Sequence, residues 1–134
     1  MPFETMYVLA APSSPFANQL KRVVQSGSGT RVADKPADAQ VILHILNELR
    51  EKQILSLSGG GRVREFQLRY RVSFRLYDNK NREYIPASEI VLRRDFSFND
   101  AEVLAKETEE ALLYRDMQTD AVQQMLRRLQ ATRI

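Results

Sequence analysis

The residues of this chain best suited to chemistry are its arginines, which cluster in the middle of the sequence. A guanidinium group binds a phosphate or a carboxylate through two parallel hydrogen bonds, so a preference for arginine over lysine favours oxyanion recognition. The alternative is a hydrated surface on which the arginines pair with Glu65, Glu83, Glu89 and Asp95. The basic set comprises Arg62, Arg64, Arg69, Arg71, Arg75, Arg82, Arg93, Arg94 and, further along the chain, Lys106.

Other kinds of chemistry find little support in the sequence. His44 is the single histidine and has no nucleophile or carboxylate beside it in sequence, so a packed or surface role is favoured over catalysis or ligation. Cysteine is absent, which removes thiol catalysis and thiolate metal sites. The glycine triplet at 59–61 matches no phosphate-loop pattern and is interpreted as a hinge between strands. We therefore expect no catalytic residue, no metal site, no cofactor and no enzymatic activity.

Length and charge set broad limits on the class of protein. The 134 residues are expected to form one domain over 1–134, and 20 basic against 17 acidic residues give a net charge of +3 at pH 7. A surplus this small permits an anionic partner without demanding one. No apolar run approaches the length of a membrane-spanning helix, and no basic and then apolar leader precedes the first predicted strand.

The arginine row is positioned by residues 65–77, in which apolar and polar side chains alternate without interruption. A period of two predicts a strand, because successive side chains leave a strand on opposite faces. One face would carry aromatic residues such as Phe66 and Tyr70, and the other would carry Arg69 and Arg71. Such a strand is typical of an antiparallel sheet that is covered on one side only.

The first forty residues predict a strand, a helix and a strand. The strands are expected over 5–10 and 30–33, and they would be parallel if they share a sheet. The helix is expected to begin after Ser14, which can act as its N-cap, and to end at Gly27.

The last part of the chain predicts a hairpin and a helix. Residues 78–81 have the composition of a turn, which leads into an antiparallel strand over 87–98. Asn99 and Glu102 resemble a capping box that opens a polar segment, and the apolar pattern over 111–129 is helical.

Residues 39–57 fit two structures equally well. With a period of two, Val41, Leu43 and Ile45 share one face of a strand. With a period of 3.6, Ile42 and Leu49 join Ile45 on one face of an amphipathic helix. Neither periodicity nor propensity decides between the two.

The ordered set of these segments resembles the LptE family of lipopolysaccharide-assembly lipoproteins of Gram-negative outer membranes. The resemblance covers essentially the whole chain and is most specific over 65–129. It implies an α+β fold, with two helices packed on one face of a four-stranded, mainly antiparallel (mixed) sheet, and it makes 39–57 a bent strand. It is carried by EFQLRYRVSFRLYD, VLRRDFSFND, VLAKETEE and a final helix ending in MLRRL.

The resemblance also implies a function and partners. Family members plug the lumen of the LptD β-barrel, support its assembly and help deliver lipopolysaccharide to the cell surface. They are anchored on the periplasmic side of the outer membrane by an acylated N-terminal cysteine. That cysteine and its signal peptide are not among these residues, so the resemblance is to a trimmed mature domain, and a lipid anchor such as palmitate is expected of the full-length protein alone.

The resemblance points to three residues for contact with lipopolysaccharide phosphates. Lys106 matches the family's lysine directly, whereas the family's basic residue before the central strand falls near Gly59, so its role passes loosely to Arg62 or Arg64. Lys106 could instead pair with an acidic neighbour at helical spacing, such as Glu110.

The alternative function is a free-standing α/β module that binds nucleic acid or another polyanion. Phe66, Tyr70 and Phe74 would lie on the face away from the arginines, which is the wrong side for stacking RNA bases beside them. We therefore expect no nucleic-acid partner.

Overall fold

A computed structural model describes residues 2–27, 29–57, 63–97 and 103–132, of which 56, 57, 63, 64 and 103–107 are described by their backbone alone. Within these residues, two helices cover one face of a five-stranded sheet. In chain order the elements are β1 (Thr5–Leu9), α1 (Pro15–Gly27), β2 (Arg31–Val32), a 3-10 turn (Pro36–Asp38), β3 (Val41–Leu57), β4 (Val63–Tyr77), β5 (Glu83–Ser97) and α2 (Val103–Gln130).

The sheet has the strand order β2-β1-β3-β4-β5. β1 runs parallel to β2 and to β3, while β4 runs antiparallel to both β3 and β5. The expectation of four strands was therefore wrong. The fifth is β2, which is short but paired, because the N–H of Arg31 donates to the carbonyl of Glu4 and the N–H of Ala33 to that of Met6, each over 2.8 Å.

The alternation over 65–77 is confirmed as the organising pattern of the core. Alternate residues of β4, from Leu68 through Tyr70 to Leu76, are fully buried beneath the helices. The sheet side covered by the helices is called the helix face, and the opposite side is called the open face. The helices contribute Phe16, Ala17, Leu20 and Val24 from α1, and Tyr114, Met117, Ala121, Val122, Met125 and Leu129 from α2.

Both predicted ends of α1 are confirmed. Ser14 caps the helix, because its Oγ accepts the N–H of Ala17 over 3.1 Å, and Pro15 takes the first helical position, which needs no N–H. The helix ends at Gly27. The left-handed backbone that turns the chain towards β2 lies two residues later, at Gly29, with φ of 75°.

The segment that fitted two structures is a strand, β3, as the resemblance implied, and its pairing with β4 has three register shifts. Its register against β4 shifts between Ile45 and Asn47, so that one extra residue, Leu46, is accommodated, and again between Ile54 and Ser56. A bulge moves the side chains that follow to the other face. This phase change is why a period of two described the beginning of the segment and failed in its middle.

β5 begins earlier than predicted, because Pro86 lies inside the strand rather than before it. The register against β4 shifts at this point, between Phe74 and Leu76, and β5 is an edge strand, where the missing N–H of proline is tolerated. The preceding turn is stabilised by the Asp78 carboxylate, which accepts the N–H groups of Lys80 and Arg82 over 2.8 and 3.0 Å.

α2 also begins earlier than the apolar pattern indicated, at Val103 instead of 111. Its first turns are polar, so they lack amphipathic periodicity although they are helical. The predicted strand end at Phe98 and the predicted capping box of Asn99 and Glu102 lie outside the described residues.

Candidate functional site: the open face of the sheet

The open face carries the side chains of β3, β4 and β5 that point away from the helices. They alternate with the buried residues of β4, so the strand that builds the core also lines up the arginines. Between Gln67 and Ser73 the pairing is regular, and each residue of β4 has a partner on both sides. Residues that pair directly across β3, β4 and β5 form three rows on this face. In the order of the strands, the rows are Glu51, Arg69 and Arg93; Leu49, Arg71 and Val91; and Asn47, Ser73 and Glu89.

Two arginines of the open face form ion pairs. Nε of Arg71 lies 2.8 Å from Oε1 of Glu51, and Nε of Arg75 lies 3.5 Å from Oε1 of Glu83. The N–H groups are not aligned for hydrogen bonds, and all four side chains are 34–43% exposed, so each pair stabilises the fold by at most about 1 kcal/mol. Pairing with Glu83 was predicted. Glu51 was missed because it belongs to β3, whose register against β4 the sequence did not give.

Two other acidic residues predicted as arginine partners take neutral donors instead. Ser73 Oγ donates to Oε2 of Glu89 over 3.4 Å, and Gln67 Nε2 donates to Oδ1 of Asp95 over 3.2 Å. The Nε of Arg69 donates to the same glutamine, at Oε1, over 3.0 Å. Arg69 and Arg93 themselves form no ion pair within the described part of the chain.

Sequence reasoning missed a second group of cations, which lies on the helix face. After the bulge in β3, Lys52 Nζ lies 2.9 Å from Oε2 of Glu110 and 4.1 Å from the centre of the Phe66 ring. Arg50 lies over the ring of Tyr114, 5.3 Å from its centre. These contacts attach the first half of α2 to the sheet. The sequence feature that could have indicated these cations is the polar middle of 39–57. It could be assigned to the helix face only once the bulge in β3 was known.

Two predicted members of the basic set are engaged elsewhere. Nη2 of Arg94 lies 3.2 Å from Oδ2 of Asp120, so this arginine joins β5 to α2 and does not belong to the open face. Arg82 lies over the ring of Tyr84 in the hairpin. His44 lies on β3 with its ring edge-on to Tyr77, at a centroid distance of 6.3 Å.

The comparisons with known proteins start with a family. Residues 3–129 match the family model LptE, described as lipopolysaccharide-assembly. The chain belongs to the LptE family. The resemblance seen in the sequence is thereby confirmed. No curated protein matches the sequence significantly.

Three solved structures of lipoproteins are similar to this LptE-family chain. The uncharacterized lipoprotein B of Nitrosomonas europaea, solved by NMR, is 46% identical, with a TM-score of 0.85, over 96% of this chain and 83% of that one. The rare lipoprotein B of Shewanella oneidensis is 21% identical, with a TM-score of 0.82, over 96% and 95% of the two chains. The minor lipoprotein of Acinetobacter baumannii is 20% identical, with a TM-score of 0.74, over 93% and 89%. The last two show the fold alone.

The residues that the LptE family implies for lipopolysaccharide contact stay predictions. Lys106 lies in the first turn of α2 and Arg64 near the start of β4, and only their backbone is described. Arg62 lies outside the described residues. None of the helices in the described ranges combines the length and hydrophobicity that crossing a bilayer requires.

Proposed function

We propose that this LptE-family chain is the folded domain of an outer-membrane lipoprotein that plugs the lumen of the LptD β-barrel. There it supports the assembly of the barrel and the delivery of lipopolysaccharide to the cell surface. The observation that carries the proposal is the match of residues 3–129 to a family described as lipopolysaccharide-assembly. The full-length protein would be held on the periplasmic side of the outer membrane by its N-terminal lipid.

The two unlike faces of the sheet support this role. The helix face is closed by α1 and α2, so the domain has its own hydrophobic core and needs no partner to cover it. On β4, the central strand of the open face, the outward-facing side chains from Gln67 to Arg75 are all charged or polar. Because the inner wall of a large outer-membrane barrel is polar, a domain with such a surface can fill the lumen without burying apolar groups of the wall.

The role is non-enzymatic in this proposal, and lipopolysaccharide is a direct ligand. Lys106, Arg62 and Arg64 would contact the phosphates of lipid A or the core sugars, because cationic side chains form charge-assisted hydrogen bonds with phosphate oxygens. Nucleic acid is disfavoured as the ligand, since Tyr70 and Phe74 are buried under the helices and unable to stack on bases.

The barrel partnership is tested by producing the full-length lipoprotein together with LptD. We expect the two proteins to copurify from the outer membrane and the barrel to acquire its heat-resistant folded form only when both are present. An unrelated outer-membrane lipoprotein of similar size is the control. The proposal is wrong if LptD folds equally well with the control and does not copurify with this protein.

The ligand is tested by titrating lipopolysaccharide into the wild type, the Lys106→Ala/Arg62→Ala/Arg64→Ala variant and a charge-matched control, Arg22→Ala/Lys35→Ala/Arg115→Ala. Loss of several charge-assisted bonds is expected to weaken binding by about tenfold or more in the first variant alone. Equal affinity in both variants contradicts the site. Binding of RNA that falls steeply with salt, without binding of lipopolysaccharide, favours the alternative of a free-standing polyanion module.

A further inference from the structure

Two arginines face each other across neighbouring strands of the open face. Arg69 of β4 is directly opposite Arg93 of β5 in the antiparallel register, and both occupy positions that point away from the helices. Like charges directly opposite each other in a sheet repel and destabilise it. The arrangement therefore calls for an anion, either from the protein or from a ligand.

The carboxylates near this pair each contact a side chain other than the two arginines. Glu51, opposite Arg69 on the other side, contacts the Nε of Arg71 at 2.8 Å. Asp95 accepts a hydrogen bond from Gln67, whose own carbonyl accepts the Nε–H of Arg69. That last bond uses one of the five donors of the guanidinium group and leaves the four on its terminal nitrogens for another acceptor. Within the described ranges, neither arginine of the pair has an acidic partner.

We propose that Arg69 and Arg93 together bind a phosphate group, either as the free ion or on a lipid headgroup. A phosphate offers several acceptor oxygens in a tetrahedron, so each guanidinium can donate two parallel hydrogen bonds to it. The attraction of both arginines to the anion then offsets the repulsion between them. The site consists of other residues than Lys106, Arg62 and Arg64, and it does not depend on LptD being the partner.

The surroundings of the pair favour the lipid headgroup over the free ion. Leu49 and Val91 lie in the next row of the open face, and they are 43% and 37% exposed. Aliphatic surface next to paired cations suits a ligand in which a phosphate adjoins an acyl chain, because the chain removes apolar area from water. A phosphate on a lipid is thus expected to bind more tightly than inorganic phosphate.

The first test titrates inorganic phosphate into the domain at constant ionic strength, with NMR detection of the backbone amide resonances of β4 and β5, which the wild type and the variants share. The site variant is Arg69→Gln/Arg93→Gln, and the control is Arg22→Gln/Arg115→Gln, which removes the same charge from exposed helix positions. Phosphate is expected to bind the wild type and the control with equal affinity. It is expected to bind the site variant more weakly by about tenfold or more. Equal binding to both variants overturns the proposal.

The second test measures the thermal midpoint Tm without ligand at low salt. If nothing in the protein neutralises the repulsion between the two arginines, the single variants Arg69→Gln and Arg93→Gln raise Tm. Phosphate, compared with chloride at equal ionic strength, then raises the Tm of the wild type but not of either variant. A fall in Tm for both variants, with no difference between phosphate and chloride, means that the protein already neutralises the pair and overturns the site.

Vesicles distinguish the two sources of phosphate. Phosphatidylcholine vesicles containing phosphatidic acid are expected to bind the wild type and the control variant more tightly than the site variant. Phosphate binding without vesicle binding assigns the site to the free ion, and the absence of both overturns it. Copurification of the site variant with LptD is scored separately, so loss of phosphate binding with an intact complex refutes this inference and leaves the proposed function standing.

Discussion

The buried hydroxyl of Tyr70 donates a hydrogen bond to the carboxylate of Glu48. The other oxygen of this carboxylate accepts the hydroxyl of Ser14 over 2.7 Å, and Ser14 is the N-cap of α1. Glu48 thus connects β3, β4 and α1. It reaches the helix face because the bulge at Leu46 changes the phase of β3.

The first prediction concerns this carboxylate. Glu48→Ala leaves the hydroxyl of Tyr70 without its acceptor in a buried position, so the free energy of unfolding is expected to fall by about 1–3 kcal/mol. Urea denaturation followed by circular dichroism measures it. Asp116→Ala, on the exposed side of α2, is the control and is expected to change stability by at most about 0.5 kcal/mol. Equal losses in the two variants would contradict the role of Glu48.

The second prediction is a loss of stability at alkaline pH. Burial, and then the hydrogen bond to Glu48, raise the pKa of Tyr70 well above its ordinary value of 10.0. The unfolded chain therefore loses this proton first. The stability that the protonated phenol contributes is complete below the ordinary pKa and is lost as the pH rises above it towards the folded-state pKa. Unfolding free energies measured across this range should decline less steeply for Tyr70→Phe than for the wild type. Tyr7→Phe is the control, and an unchanged slope in Tyr70→Phe would refute the prediction.

The third prediction tests the alternation of β4. Phe74 is fully buried, whereas its neighbour Ser73 points to the open face. Phe74→Ala is expected to cost about 3–5 kcal/mol, since it removes apolar contacts and leaves a cavity. Ser73→Ala is expected to cost about 0.5 kcal/mol or less. Chemical denaturation measures both. A strand whose faces were assigned wrongly would show the opposite order.

The fourth prediction uses two neighbouring glycines. Gly29 has φ of 75°, where a Cβ is strained although no atom lies within 4 Å of its position, so Gly29→Ala should destabilise by about 1–2 kcal/mol. Gly27 is the last residue of α1 and also has open space around a Cβ. Gly27→Ala should therefore be neutral or stabilise by up to about 1 kcal/mol. Thermal denaturation compares the pair, and equal effects would exclude backbone strain as the cause.

The fifth prediction concerns the contact between Arg94 and Asp120. The side chains are 38% and 37% exposed, so solvent screens the pair and its coupling energy should be below about 1 kcal/mol. A double-mutant cycle with Arg94→Gln and Asp120→Asn measures this energy at low and high salt. A coupling of several kcal/mol that salt does not reduce would mean that the pair is shielded from water.

The sequence was most informative where one pattern ran without a break. The alternation of β4, the N-cap at Ser14 and the glycine at 27 are local signals, and each depends on side chains that lie close together in the chain. The same is true of α2 from 111 onwards, where the apolar period marks the buried stripe. These elements fix the covered face of the sheet and the direction of the arginine row.

The rest depended on contacts between distant segments. The strand predicted over 30–33 is confirmed as β2, parallel to β1, but its place in the sheet as a fifth strand followed only from their pairing. The bulge at Leu46 is defined by the pairing of β3 with β4, which lies about thirty residues further along the chain. Which arginines of the open face are neutralised followed from the same pairing, because Glu51 could be assigned to Arg71 only when the register was known.

The position of Pro86 has a consequence for how copies of this domain meet. β5 is the long outer strand of the sheet, and a regular outer strand offers its free amides and carbonyls to any other extended chain. Here one amide is missing, the register is irregular beside it, and Glu89, Arg93 and Asp95 bring charge to the rim. These features of β5 therefore oppose edge-to-edge pairing with the sheet of another copy, which is the first step towards fibrils.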